Sequence, residues 1–265
     1  MEIKDSVFVV TGAGSGIGEA VAKHFASRGA AVALGDLSVD SVNRVVAEIE
    51  EAGGRALGAE VDVTKDESVS ALMDRTVSAF GRINGVVPCA GIIKDSLLVN
   101  IDKESGHVKK AMESSAFRAV IEVNLVGSFI TIREAARRMV DGGWKGVLFT
   151  ISSVNKAGQI GQLNYSSSKA ALAVWPRIIA GELHMKGVSG IRCVGIAPGY
   201  VGTAMVKGMN QDALAAIVGD VHIGRLIEPE EIALCIGSVV ENEAIDGTCL
   251  EITGGLTFGP RSIAR

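Results

Sequence analysis

Only 5 prolines occur among the 265 residues, and no low-complexity tract, internal repeat or linker-like stretch is present. Neither a disordered chain nor a tethered array of modules is therefore expected. A basic excess is also lacking. Lys plus Arg number 26 against 30 Asp plus Glu, a formal net charge of -4 with no dense basic run, which argues against nucleic acid as a partner. The four cysteines, Cys89, Cys193, Cys235 and Cys249, lie far apart and form no CxxC pair. Neither a zinc site nor a disulfide framework is signalled, and a reduced, cytoplasmic setting is expected. The four histidines contain no HExxH and sit away from clustered carboxylates, which leaves a metal mechanism without support. Of these, His24 and His184 read as helix-surface residues. No apolar run reaches the ~18 residues of a spanning helix. The opening "MEIKDSVFVV" carries two acids in its first five residues before a strand-like run, and it reads as neither a secretory signal nor an Arg-rich transit peptide. A soluble chain without membrane association is the expectation.

What is present is glycine and aliphatic side chain: 33 Gly and 48% hydrophobic residues, a profile of a globular chain long enough to bury one large core. Short β-branched runs, "SVFVVT", "AAVALGD", "RALGAEVDV", "GVVPCAG", "GVLFTIS", "IRCVGIAPG" and "TCLEITGG", alternate with segments of helical period. This pattern belongs to a parallel sheet wound by crossover helices. The expected fold is α/β: a single doubly wound, Rossmann-type domain over 1–265, with a seven-stranded parallel sheet flanked by helices. Two regions break the alternation. The polar stretch Asn100 to Ser115 lacks clear periodicity, and Thr203 to Glu228 is rich in Met, Ala and Gly. In the latter, Met205, Met209, Ile217 and Val218 would form either a flexible apolar lid over about 203–225 or an ordinary amphipathic surface helix.

The stretch "VVTGAGSGIGEAV" leaves the first strand and opens the first helix, as a dinucleotide-binding loop requires. Gly12, Gly16 and Gly18 would permit the tight turn, the approach of pyrophosphate and the close contact of helix with sheet, with the helix N-terminus facing the phosphates. Asp36 ends the second strand 18 positions after Gly18, near the spacing of ~20 for an acid that bonds the adenosine ribose hydroxyls. Its carboxylate would repel a 2′-phosphate, and neither Ser15 nor Leu37 supplies a compensating cation, so NAD is favoured over NADP. Asp62, in "VDVT", either accepts from the adenine amine or serves as a turn acid.

Tyr165 and Lys169 stand four apart at the start of a helix, on one face. A phenol with a pKa near ~10 is a poor acid–base catalyst at neutral pH. An adjacent ammonium and a positively charged nicotinamide would favour phenolate, and a shift of ~3 units corresponds to about 4 kcal/mol. The pair follows the fifth strand, on the carboxyl side of the sheet where ligands of such folds bind.

These features together resemble the short-chain dehydrogenase/reductase family over essentially the whole chain: "TGAGSGIG", the acid at Asp36, "DV" at Asp62 and Val63, "VNL" around Asn124, the serines before "NYSSSK", and "PGYVGT" from Pro198 to Thr203. The resemblance implies that Tyr165 exchanges a proton with the substrate oxygen, Lys169 lowers its pKa and binds the nicotinamide ribose, a serine polarises the substrate oxygen, and Asn124 holds a water in the proton relay. It further implies cofactor contacts from Ser15, Ile17 and Leu37, from Val63, from Cys89, Ala90 and Gly91, and from Pro198, Gly199, Val201 and Thr203. A small-molecule alcohol or ketone as substrate and a homotetramer are implied as well. Within the family the look is closest to 3-oxoacyl thioester reductases and type 8 17β-hydroxysteroid dehydrogenases, through "GDL", "CAGI" and "ITGGL".

Three departures stand out. "PCAG" replaces the family's Asn-Asn-Ala-Gly, which removes a side-chain amide that supports the central helix. Cys89 there reads as a small buried filler and not as a nucleophile. The segment from Ile92 to Asn124 is longer than in simple bacterial reductases, and its polar middle is expected to reshape the pocket rim or an oligomer surface. The family serine stands thirteen before the tyrosine, a position held by Ser152. Strand context instead favours Ser153, twelve before, with one residue deleted from the loop, and because successive strand residues face opposite ways only one of the two can reach substrate. Ser166, Ser167 and Ser168 read as helix packing or solvent contacts. Trp175-Pro176 should kink the helix that contains it. A catalytically silent NAD-binding subunit is the alternative of a different class; the intact Tyr165, Lys169 and Asn124 set argues against it.

Overall fold

The computed structural model of the protein describes residues 1–203, 206 and 211–256. Seven strands, β1 (Val7–Thr11), β2 (Ala31–Asp36), β3 (Arg55–Glu60), β4 (Gly85–Pro88), β7 (Gly146–Ile151), β8 (Ile191–Pro198) and β9 (Thr248–Ile252), make one sheet. Its order is β3-β2-β1-β4-β7-β8-β9 and every pairing is parallel. The helices are α1 (Gly16–Ser27), α2 (Val39–Glu51), α3 (Asp66–Phe80), α4 (Ser114–Ile121), α5 (Gly127–Asp141), α6 (Leu163–Met185), α7 (Gln211–Gly219) and α8 (Pro229–Glu241). The α/β Rossmann-type expectation therefore holds.

β1, β4, β7 and β8 are buried along their whole length, as parallel strands covered on both faces must be, hence their near-continuous apolar runs. Alternation assigns their side chains to two cores. Phe8, Val10, Val147 and Phe149 join α1 and α8 on one face, and Val9, Val86 and Leu148 join α3 and α5 on the other. Phe8 stacks on Phe25 of α1 with ring centroids 3.9 Å apart. The chain runs outward through β1, β2 and β3 and then returns to the far side of β1 with β4. The crevice at the carboxyl ends of β1 and β4 is thus the switch point at which such sheets bind ligands.

The polar stretch after residue 98 is not irregular. It forms an antiparallel hairpin, β5 (Val99–Ile101) with β6 (Val108–Ala111). Both strands are exposed on both faces, so no alternation of apolar and polar residues marks them. The turn is held by Asp102, whose Oδ1 accepts from the amides of Glu104 and Ser105, and by Gly106 at φ 69°.

α4 and α5 are joined through a π-helical turn, Glu122–Val126, into a single helix from Ser114 to Asp141. Those 28 residues are long and apolar enough, by length and composition, to cross a membrane, which corrects the expectation that no segment would qualify. Ile130, Ile132, Ala135 and Met139 of this helix are buried in the second core, and Glu134 is paired with Arg133, Arg137 and Arg138.

His24 is also corrected. It is half-buried where α1 meets α8, its Nε2 has no hydrogen-bond partner among the described residues, and a Cβ on Gly237 would come within 2.4 Å of that nitrogen. Burial holds its pKa below the usual histidine value. His184 is exposed, as expected. α6 continues through Pro176. Met205 and Met209, half of the lid cluster, lie outside the described residues.

Candidate active site

The glycine loop is built by close contacts that only glycine permits. A Cβ on Gly18 would stand 2.2 Å from the Gly12 carbonyl oxygen, and one on Gly12, at φ 65°, 2.5 Å from the Ala90 nitrogen. The loop is pressed against the end of β4, where the Cys89 amide donates to the Thr11 carbonyl at 2.9 Å. The turn at Ala90 and Gly91 thus survives the Pro88 and Cys89 replacements, although the Thr11 hydroxyl, in register with Pro88, is buried without a partner among the described residues. Gly16 has φ 57°, and its open side faces Thr203, whose methyl would lie 3.1 Å from a Cβ placed there. Ser15 caps α1 in extended conformation, and Ile17 packs on the first core.

Asp36 stands at the end of β2. Its Oδ2 accepts from the Gly14 amide and its Oδ1 from the Ser38 amide, each at 3.1 Å, while the following Leu37 is 66% exposed. Asp62 is a turn acid: its Oδ1 accepts from the amide and the hydroxyl of Thr64 at 3.0 and 2.7 Å, and these bonds hold its pKa below the usual carboxylate range. Val63 is buried, and a Cβ on Gly127 would touch it. On the other side of the crevice, Pro198 ends β8 and the Gly199 amide donates to Ile252. Val201 forms an isolated bridge with Ile227, and the Thr203 amide donates to the Val201 carbonyl.

The hydroxyl-rich stretch divides cleanly. Ser152 is turned inward, and its Oγ donates to the Lys169 carbonyl at 2.6 Å. The Ser153 hydroxyl lies close enough to Tyr165 to lower the pKa of its phenol, and its Oγ accepts from the Asn155 amide at 3.1 Å. With one lone pair so occupied, the Ser153 proton is left to point at an oxygen beside Tyr165. Ser166, Ser167 and Ser168 bond to Gln159, Leu163 and Tyr165 backbone, contacts internal to the helix and its approach.

Lys169 is buried, donates to the Ile151 carbonyl at 2.8 Å, and lies 5.5 Å from the centroid of the Tyr165 ring. Burial brings its pKa down to about 8. Burial raises the Tyr165 pKa, the nearby Ser153 hydroxyl lowers it, and the charge of Asp95 raises it.

Asn124 sits fully buried in the π turn, a feature that often marks functional positions. Its Oδ1 accepts from the Ile92 amide at 2.8 Å and its Nδ2 donates to the Ile92 carbonyl at 3.0 Å, which fixes the chain as it leaves Gly91. Cys89, its thiol pushed up to about 12 by burial, has no thiolate to offer. Residues outside the sequence expectation complete the rim: Gln162 donates to Asp95 and accepts from Asn155, both at 2.9 Å. Asp95 lies in the longer segment after Gly91, the one part of this rim with a visible sign in the sequence.

A glycine loop at the switch point with an acid at the end of β2, and a Ser-Tyr-Lys set across the crevice, define a dinucleotide-dependent oxidoreductase of the Rossmann class. A family model described as short chain dehydrogenase matches residues 6–214, and the chain belongs to that family. It is 36% identical over 255 residues to cis-4-hydroxycyclohexanecarboxylate dehydrogenase of Sinomonas cyclohexanicum, covering 96% of this chain and 97% of that one. It is 32% identical over 267 residues to (3R)-3-hydroxyacyl-CoA dehydrogenase of Rattus norvegicus, covering 97% and 98%. Among solved structures, a 7α-hydroxysteroid dehydrogenase complexed with NADH and 7-oxo glycochenodeoxycholic acid superimposes with a TM-score of 0.85 at 30% identity, covering 96% of this chain and 95% of that one.

Proposed function

We propose that the protein is an NAD(H)-dependent dehydrogenase that interconverts a secondary alcohol and a ketone, with Tyr165 as the general acid–base. The observation that carries this reading is the buried Lys169 ammonium, anchored on the Ile151 carbonyl 5.5 Å from the Tyr165 ring centroid, with the Ser153 hydroxyl beside the phenol at the carboxyl end of β7. Gly12 and Gly18 let the loop close on β4 and on itself, Gly16 turns its free side toward Thr203, and Asp36 fits a ribose diol; these residues, with Val201 and Thr203 opposite, would hold the dinucleotide. When bound, the nicotinamide supplies the hydride acceptor or donor. In oxidation the Ser153 hydroxyl donates to the substrate oxygen, and Tyr165 Oη takes the proton of the substrate alcohol. Lys169, anchored on the Ile151 carbonyl, presents positive charge along the face of Tyr165 and favours its phenolate. Asn124 holds the Ile92 backbone and thereby the floor of the crevice.

NAD is the cofactor of choice because a carboxylate at Asp36 repels a 2′-phosphate. Free thiols at all four cysteines support a reducing setting. A homotetramer is supported by large apolar side chains left exposed on α5 and α6, Phe129, Val174 and Ile178, and light scattering tests it. The activity is tested by NADH production from secondary alcohols, including a hydroxycyclohexanecarboxylate, a 3-hydroxyacyl-CoA and a hydroxysteroid. One of these should be turned over, and Tyr165→Phe should lower turnover by at least about 100-fold; turnover that survives the substitution would remove Tyr165 from the chemistry.

A further inference from the structure

The peptide unit at Gly14 is gripped from two sides. Its amide donates to Asp36 Oδ2 at 3.1 Å, and its carbonyl accepts from Arg44 Nη2, also at 3.1 Å. A Cβ on Gly14 would meet Ser41 Cβ at 2.8 Å and Asp36 Oδ2 at 3.1 Å, so the loop, the end of β2 and the first turns of α2 converge there. Arg44 comes from α2, and its guanidinium therefore reaches the same residue of the loop that Asp36 holds.

That guanidinium is committed elsewhere. Glu19 of α1 takes it through two bonds, Nη1 to Oε1 at 3.0 Å and Nη2 to Oε2 at 2.6 Å, and Glu48 of α2 accepts from Nη1 at 2.7 Å. Lys23 is paired with the same two acids, so two bases and two acids form a neutral cluster. Arg44 is still about half exposed, with 47% of its side chain accessible. A fork-shaped arginine is the side chain best suited to bind a phosphate, and this one stands beside the ribose acid with its charge already balanced.

We propose that Arg44 is a determinant of cofactor choice: Glu19 and Glu48 hold it on the Gly14 carbonyl and so withhold from the ribose end of the site the positive charge that a 2′-phosphate would need. The proposal rests on the NAD reading and adds a second layer to it. Asp36 repels the phosphate, and the two glutamates keep the counter-charge engaged. Releasing Arg44 then matters most once Asp36 is gone, because only then is there room for a phosphate without a carboxylate facing it.

The test is equilibrium binding of NADH and NADPH, followed by calorimetry without substrate, so that no turnover is needed. Asp36→Ser should lower the preference for NADH. Adding Glu19→Gln should tighten NADPH by a further factor of about ten, the size of one charge-assisted contact, and leave NADH within about twofold. Arg44→Gln on top of these two should erase that gain. Glu48→Gln, at an exposed position, releases the same arginine from the other side and should give a gain in the same direction, which keeps the test open if Glu19→Gln impairs folding. A failure of both glutamate substitutions to tighten NADPH, or a gain that persists without Arg44, overturns the inference. Unchanged discrimination in Asp36→Ser alone would instead overturn the NAD reading. The comparison of Glu19→Gln with Glu19→Gln/Arg44→Gln reads Arg44 in the wild-type background as well.

Discussion

Ser152 and Ser153, neighbours at the end of β7, face opposite ways: the first bonds the backbone of α6 at Lys169, and the second lies beside the side chain of Tyr165. The alternation of an extended chain allows only one of them to reach the substrate. Ser153→Ala is therefore expected to lower kcat/KM by about 100- to 1,000-fold, in the range of a lost hydrogen-bond donor to the reacting oxygen. Ser152→Ala should keep turnover within a few-fold and lower stability by about 1 kcal/mol, the net value of one buried hydrogen bond. Steady-state kinetics and urea unfolding of the two variants decide the matter. The reverse pattern would show that spacing from the tyrosine, and not strand geometry, selects the serine.

Glycine is required at some positions and merely present at others, and the two cases can be told apart. Gly18→Ala would place a methyl 2.2 Å from the Gly12 carbonyl oxygen, so the loop must move. Overpacking of this kind costs about 1–3 kcal/mol, and NADH binding should weaken with it. Gly181 lies inside α6 with nothing within 4 Å of its Cβ position. Gly181→Ala should raise stability by about 0.5–1 kcal/mol through helix propensity and leave NADH affinity unchanged. NADH titration and unfolding of both variants check the pair, and equal effects would mean that contact at Gly12 is not what makes Gly18 necessary.

Much of this architecture was legible because the physics is local. Parallel strands buried on both faces must be apolar runs, and the inner strands were visible as such, from "SVFVVT" to "IRCVGIAPG"; the edge strands β3 and β9, only partly buried, still stood out between helical segments. The glycine loop and Asp36 were legible for a similar reason: a turn, a close approach and a strand end each restrict the residue types that can stand there. The β5–β6 hairpin was not legible, because strands exposed on both faces leave no periodic trace. Asn124 was visible as a motif residue, yet the π turn that aims its amide at Ile92 is a property of backbone geometry that side-chain period does not encode. The grip of Arg44 on Gly14 joins residues 30 positions apart through one carbonyl, and nothing in either local sequence points to the other. His24 shows the converse error: a polar residue at a plausible surface position of α1 is covered because α8 packs there, with a glycine, Gly237, making the room.

The burial of Lys169 sets a pH dependence of stability whose sign can be worked out. Its pKa is about 8 in the folded protein against 10.5 for an ordinary lysine. Between those values the unfolded chain binds the proton and the folded one does not, so stability rises with pH across that window. Below about 8 the buried ammonium exacts its full cost, about 3 kcal/mol from the displacement of the pKa; above 10.5 the cost has gone. Lys169→Met removes the titrating group and fills the same channel with apolar atoms. The variant should abolish turnover and be more stable than the wild type at pH 7, less the contribution of the lost bond to Ile151. That advantage should shrink steadily toward pH 10.5. Cys89 titrates in the opposite sense, since burial pushes its thiol up to about 12, so stability from this group falls as pH rises above the ordinary thiol value. Cys89 and Lys169 act on each other's charge, so Cys89→Ala is introduced into both proteins, and the difference between them then isolates Lys169. Urea unfolding of the pair at intervals from pH 7 to 10.5 makes the measurement, and a difference that does not vary with pH would mean that Lys169 keeps its ordinary pKa in the folded chain.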